Sequence, residues 1–187
     1  MNTLIYSGRV DGKMVANSKS DGEHFEGTIG DLPIWLFGRV GQAAGENIGN
    51  NVLLTGVIGS RPTQKGNHFI SPTVFRLLPA PGVDRQNLIA FTGTIVGTKR
   101  IKEGLYQAQV EIPAKEWDAK KKKQVETTNI IPVTTNNLAD SDIGKEVSVI
   151  GTIQVRNGKF IDIDVQSFLV EGAEIDEDAA GDLDDLL

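Results

Sequence analysis

The sequence predicts an all-β chain: two small closed barrels of five strands each, arranged in tandem and followed by an acidic tail. Three observations carry this reading. The stretch IGKEVSVIGTIQVRNGKFIDIDVQSFLV (143–170) has an earlier counterpart in IGNNVLLTGVIGSRPTQKGNHFISPTVFRLL (48–78), and both run I-G-x-x-V-x-x-x-G-x-I, a polar turn, then an apolar run. Gly151 stands 95 residues after Gly56, far beyond the period of a solenoid or propeller, so the repeated unit is a whole small domain. Each half also contains five short runs of β-forming residues bounded by turn residues, and little of the chain sustains a helical period.

Taken in order, the first strand is expected at 4–10, followed by a polar loop at 17–22 and a second strand at 24–29. Gly30-Asp31 between two β-type runs signals a hairpin. The third strand is expected over 33–40. Its two-residue period puts Ile34 and Leu36 on one face and Trp35, Phe37 and Arg39 on the other. A loop at 41–50 has room for a short helix, and strands follow at 52–58 and 69–77. Pro72 cannot donate to a ladder, so that last strand is an edge or carries a bulge.

Leu78-Pro79-Ala80-Pro81-Gly82 reads as a stiff connection. The second half restarts at 88–96, close in form to 4–10. A second hairpin, 106–112 with 124–133, is expected to carry a long tip at 113–123. In the last strand Ile161, Ile163 and Val165 alternate with Asp162, Asp164 and Gln166, a half-buried pattern. The domains are therefore expected at 1–80 and 88–171, with a linker at 81–87 and a disordered acidic tail at 172–187.

Composition sets limits. With 187 residues, 39% of them hydrophobic, each half can bury a core. The absence of cysteine excludes disulfides and thiolate metal sites and fits a reducing compartment. No segment approaches the roughly 20 apolar residues of a membrane helix, so no membrane is expected and the cytoplasm is the expected location. The net charge of -6 is unevenly placed: residues 171–187 hold eight acids and no base, leaving 17 acids against 19 Lys and Arg elsewhere. An acidic tail on a slightly positive body is the asymmetry of an interaction segment.

Five strands, glycines inside the first and fourth, and a loop between the third and fourth describe the OB-fold, a five-stranded Greek-key barrel that glycine helps to close. In these features, and in an acidic C-terminus ending DLDDLL, the chain resembles the bacterial and phage single-stranded DNA-binding proteins, in a tandem OB-fold form. The resemblance implies a protein that coats single-stranded DNA with little sequence preference in replication, recombination and repair, and recruits partner enzymes through its tail. The family's frequent use of four OB domains implies that two chains pair into a homodimer.

Sequence-independent binding of a single strand needs cations for phosphates and aromatic faces for bases, each stack worth about 1–3 kcal/mol. The richest stretch is 114–124, where Lys115, Lys120, Lys121, Lys122 and Lys123 flank Trp117. Trp35, Phe37 and Arg39 are the first half's candidates. Arg9, Lys13, Arg61, Lys65 and His68 would extend a groove there, as Lys99, Arg100, Lys102, Arg156 and Lys159 would in the second half. Tyr6, Phe91 and Tyr106 alternate in phase with apolar neighbours and are expected in the core, while Asp162 and Asp164 are expected to face away from phosphate.

The tail offers Asp182, Asp184 and Asp185 for a basic rim and Leu183, Leu186 and Leu187 for a shallow pocket on replication or recombination proteins. Its spacing partly mimics a calcium loop, but Ala180 and Leu187 stand where ligands are required. The chain contains no phosphate-binding glycine loop and no G-x-S-x-G, and its two histidines have no partner for a metal, so no catalysis and no cofactor are expected. The alternative to DNA binding is a tandem OB scaffold for protein partners or for RNA.

Overall fold

The computed structural model describes residues 1–16, 22–62, 68–118, 122–136, 138–158 and 160–171. It is nearly all β, with ten strands: β1 (Asn2–Ala16), β2 (Glu23–Ile29), β3 (Leu32–Phe37), β4 (Asn51–Pro62), β5 (His68–Pro79), β6 (Asn87–Lys102), β7 (Leu105–Asp118), β8 (Lys123–Thr135), β9 (Glu146–Arg156) and β10 (Phe160–Val170). One helix, α1 (Gly38–Glu46), lies between β3 and β4, and a short 3-10 turn, η1 (Asp140–Asp142), lies between β8 and β9. All the ladders between strands are antiparallel, and β1–β5 and β6–β10 repeat one scheme: the first strand pairs with the second and fourth, the second with the third, and the fourth with the fifth.

The repeat read from sequence extends to register. Leu4 pairs with Gly56 and Gly8 with Val52 in the first barrel; Ile89 pairs with Gly151 and Gly93 with Val147 in the second. Each barrel also has a bulge on its fifth strand beside that fourth-strand glycine, leaving Phe75 and Gln166 without cross-strand partners. Glycine is required there: a Cβ on Gly56 would lie 2.1 Å from the Thr73 carbonyl oxygen, and one on Gly151 2.3 Å from that of Asp164.

The barrels are joined through their first strands. β1 pairs with β6 from Asn2↔Phe91 to Tyr6↔Asn87, so β10, β9, β6, β1, β4 and β5 form one continuous six-strand path. The pair Leu4↔Ile89 joins equivalent positions, which makes the junction a pseudo-two-fold axis. Two asparagines obey it: Asn2 donates to the Ile58 carbonyl at 2.7 Å and accepts from its N–H at 3.2 Å, while Asn87 does the same with Ile153, both at 2.8 Å. Each amide thus satisfies backbone groups just past the end of its β1–β4 or β6–β9 ladder. Buried side chains of both halves, among them Tyr6, Phe91, Leu54 and Val149, form one contiguous core. Residues 81–86, most of the expected linker, carry no regular structure, and Gln86 is held to Ser7, whose hydroxyl accepts its N–H at 2.6 Å.

Local structure departs from the sequence reading in several places: β1 runs to Ala16 and β6 to Lys102, past the expected 4–10 and 88–96. β3 stops at Phe37, and 38–40 are helical. Gly38 adopts φ +60, which ends the strand, and Gly41 and Ala44 are buried with Val40 and Ala43 packed beside them on the helix's inner face. The expected long tip at 113–123 is also mostly ladder, because β7 and β8 stay paired out to Asp118↔Lys123.

Candidate nucleic-acid interface

The outward face of β1, β2 and β3 is organised in cross-strand rows. Gly12, Gly27 and Ile34 form one inward row and Met14, Phe25 and Leu36 the next; between and beside them Lys13–Glu26–Trp35 and Val15–His24–Phe37 point outward. Strand alternation alone left open which face turns inward; Ile34 and Leu36 are buried, whereas Trp35 and Phe37 are 64% and 60% exposed. Two such rings two residues apart on one strand face form an apolar patch of the kind that marks an interaction site. His24 flanks Phe37 on the same face: its ring stacks on Phe37 with centroids 5.0 Å apart and planes at 17°, and its Nε2 lies 2.7 Å from Glu26 Oε1. Arg39 is exposed but sits in the first turn of α1, so it does not continue the row of Trp35 and Phe37 as the sequence reading had it.

The fourth and fifth strands supply a second, repeated feature that sequence reasoning missed. At the end of each hairpin an exposed arginine faces an exposed phenylalanine across the ladder: Arg61↔Phe69 in the first barrel and Arg156↔Phe160 in the second. Superposing the two sequence copies would have shown it, since each has an arginine before the polar turn and a phenylalanine after it. The two posts differ in charge. Arg156 forms an ion pair with Asp162 at 2.8 Å, so one of the two carboxylates expected to face away from phosphate lies against a candidate phosphate contact.

The second barrel's equivalent three-strand face carries no exposed aromatic ring among its described residues. Lys99, Gln107 and Thr134 form a row there, next to Gln109 and Pro132. Lys99, Arg100 and Lys102 are exposed towards the Glu103-Gly104 turn, and Tyr106 is half-buried. Tyr6 and Phe91 are fully buried, as expected. The Tyr6 hydroxyl reaches the Asp31 carboxylate, and burial, followed by that carboxylate, raises its pKa.

The β7–β8 hairpin reaches past its own barrel. Its outer part, with β4 and β5 of the first barrel, encloses a cleft of about 880 Å³. Arg61 and Lys115, one from each barrel, both line it, and Phe75 stands in it, turned out by the β5 bulge. Lys122 and Lys123 are exposed at the hairpin's end; at Trp117 only the backbone is described, and Lys120 and Lys121 lie outside the described residues, as do Lys65, Lys159 and the tail from 172, with Asp182 to Leu187. Arg9 lies elsewhere, lining a shallow depression with Asn47, Asn50 and Pro81. Among the described residues no three His, Asp or Glu side chains are grouped to hold a metal, and no helix is long and apolar enough to cross a membrane.

No protein-family model matches the chain, and no curated protein matches it in sequence. Solved structures do. A crystal structure of a deletion mutant of the single-stranded DNA binding protein from Thermus aquaticus aligns at a TM-score of 0.57 and 13% identity, covering 91% of this chain and 94% of that one. The wild-type Thermus aquaticus protein aligns at 0.57 and 12%, covering 91% and 92%. The likeness is one of fold, and it extends over both barrels.

Proposed function

We propose that the protein binds single-stranded DNA with little sequence preference, protecting it during replication, recombination or repair. The observation that carries this reading is the face holding Trp35 and Phe37. Two exposed rings on the third strand share an outward face with His24 and Glu26 on the second and Lys13 on the first, and the face of the second and third strands is the one OB barrels use for oligonucleotides. The Arg61–Phe69 and Arg156–Phe160 pairs lie on the hairpins of the fourth and fifth strands, the other part of an OB barrel that commonly meets a strand. Stacking tolerates any base, because every base has a π face, which is why this surface suits coating rather than reading.

The acidic residues at 182–185 and the terminal leucines recruit replication or recombination proteins in this reading. Two chains pair through the outer face of the six-stranded sheet, where Leu88, Ile150, Leu78 and Leu169 are exposed. The test is a titration of intrinsic tryptophan fluorescence with oligo-dT, oligo-U and duplex DNA. Quenching by oligo-dT with much weaker binding of duplex is expected. Absence of quenching, or equal affinity for duplex, contradicts the proposal; a clear preference for oligo-U turns it towards RNA.

A further inference from the structure

The pseudo-two-fold symmetry is broken at the hairpin of the second and third strands. In the first barrel β2 and β3 are closed by the short turn Gly30-Asp31, whereas in the second β7 leaves β6 at Glu111 and stays paired with β8 for seven more residues, to Asp118. That extension leans over the fourth and fifth strands of the other barrel. Asn129 Nδ2 lies 3.3 Å from where a Cβ on Gly59 would stand, so the hairpin approaches β4 closely there. The 880 Å³ cleft is therefore walled by both barrels, and its volume lies in the range of about 300–1,000 Å³ typical of ligand pockets.

Its chemistry is specific. Phe75 is 64% exposed and has no ladder partner, so packing and pairing leave its ring free on the cleft wall. Arg61 supplies a cation from the first barrel and Lys115 one from the second, with Glu126 directly across the ladder from Lys115 as the sole acid among the described lining residues. One exposed ring and two cations, one from each barrel, line the same cleft beside neutral amides such as Asn129, and these are the groups a nucleobase and its phosphates require.

We propose that this cleft is a nucleotide subsite that holds single-stranded DNA where it passes from one barrel to the other, with Phe75 stacking on a base and Arg61 and Lys115 meeting the flanking phosphates. The proposal rests on the single-strand reading above and assigns it a crossing point. It makes the two barrels inequivalent: a strand enters the second barrel beside its long hairpin, and no counterpart to that hairpin reaches back from the first.

The crossing point is tested with the full-length protein and a dT oligomer of about 30 nucleotides, long enough for two OB barrels, carrying photoreactive 5-iodouracil, against one of about 10, which a single barrel can fill. Irradiation is expected to cross-link the long oligomer to the peptide containing Phe75. Phe75→Ala is expected to weaken the long oligomer about 5- to 100-fold while leaving the short one nearly unchanged. Phe75→Tyr restores binding, Glu126→Gln tightens it at low salt, and an unchanged melting temperature shows that Phe75→Ala folds. Cross-links confined to the β3 strand, or equal effects of Phe75→Ala on both lengths, overturn the crossing point and leave the single-strand reading standing. No binding of either oligomer removes both.

Discussion

Trp35 and Phe37 differ from Tyr6 and Phe91 in little but strand parity, and parity decides what each ring does. On β3 the even positions Ile34 and Leu36 are buried, which leaves the odd positions to water and to a ligand. Trp35→Ala is therefore expected to weaken binding of oligo-dT about 5- to 100-fold, the effect of one lost stack, with the melting temperature nearly unchanged. Fluorescence anisotropy with a labelled oligomer, together with thermal melts, measures both. The alternation was legible in the sequence, but which of its two faces turns inward was not, since both carry large apolar side chains. Nor was Phe75, because parity gives opposite answers from its two sides: counted from buried Ile70 it points outward, counted back from buried Leu77 it points inward, and only the bulge resolves the conflict. Arg39 was misread for a related reason. Strand alternation runs on past Phe37 in the sequence, but the left-handed backbone at Gly38 ends it in the structure.

Among the elements, each fourth strand is tightly specified at one glycine. Gly56→Ala or Gly151→Ala drives a methyl group into a neighbouring carbonyl and must open the ladder to the fifth strand, at a cost of about 1–3 kcal/mol. A lower urea midpoint with an unchanged slope is the expected result for either variant. The two connections between third and fourth strands are built differently, one as α1 and the other as η1, where Asp142 accepts the Ala139 N–H at 2.8 Å and the Lys145 ammonium at 2.9 Å. The backbone donor first, then Lys145, lowers the Asp142 pKa below the ordinary carboxylate value of about 3.9. A carboxyl more acidic when folded stabilises the fold above the unfolded pKa, and that contribution is lost as pH falls through the folded value. Asp142→Asn should therefore lower the melting temperature at pH 7 and lose its effect in strong acid, which thermal melts across pH would reveal. The sequence placed a loop in this interval, and the α1 helix in the first half only as an option, since nine residues carry too few turns for a periodic signal.

At the scale of the whole molecule, the tandem repeat was legible because it preserves spacing, and the equal registers of the two β1–β4-type ladders are its physical counterpart. The junction was not legible: nothing in Leu4 to Tyr6 marks them as a strand that pairs on both sides, since hydrogen bonding to β6 uses backbone groups common to every sequence. We expect deletion of 176–187 to leave folding nearly unaffected and single-strand affinity equal or higher, most clearly at low salt, where the acids reach the cationic surface. Binding of partner proteins should be lost. A truncated chain that melts several degrees lower would place the tail within the folded body instead.

The central claim is that phosphates of a single strand meet cations spread over both barrels, Lys13 and Arg61 on the first and Lys99 and Lys115 on the second. The most direct test is the salt dependence of affinity for an oligo-dT of about 30 nucleotides, where each phosphate contact on a single strand contributes about -0.7 to the log–log slope. The account predicts a slope steeper than about -2, corresponding to three or more contacts. A slope near zero would contradict it.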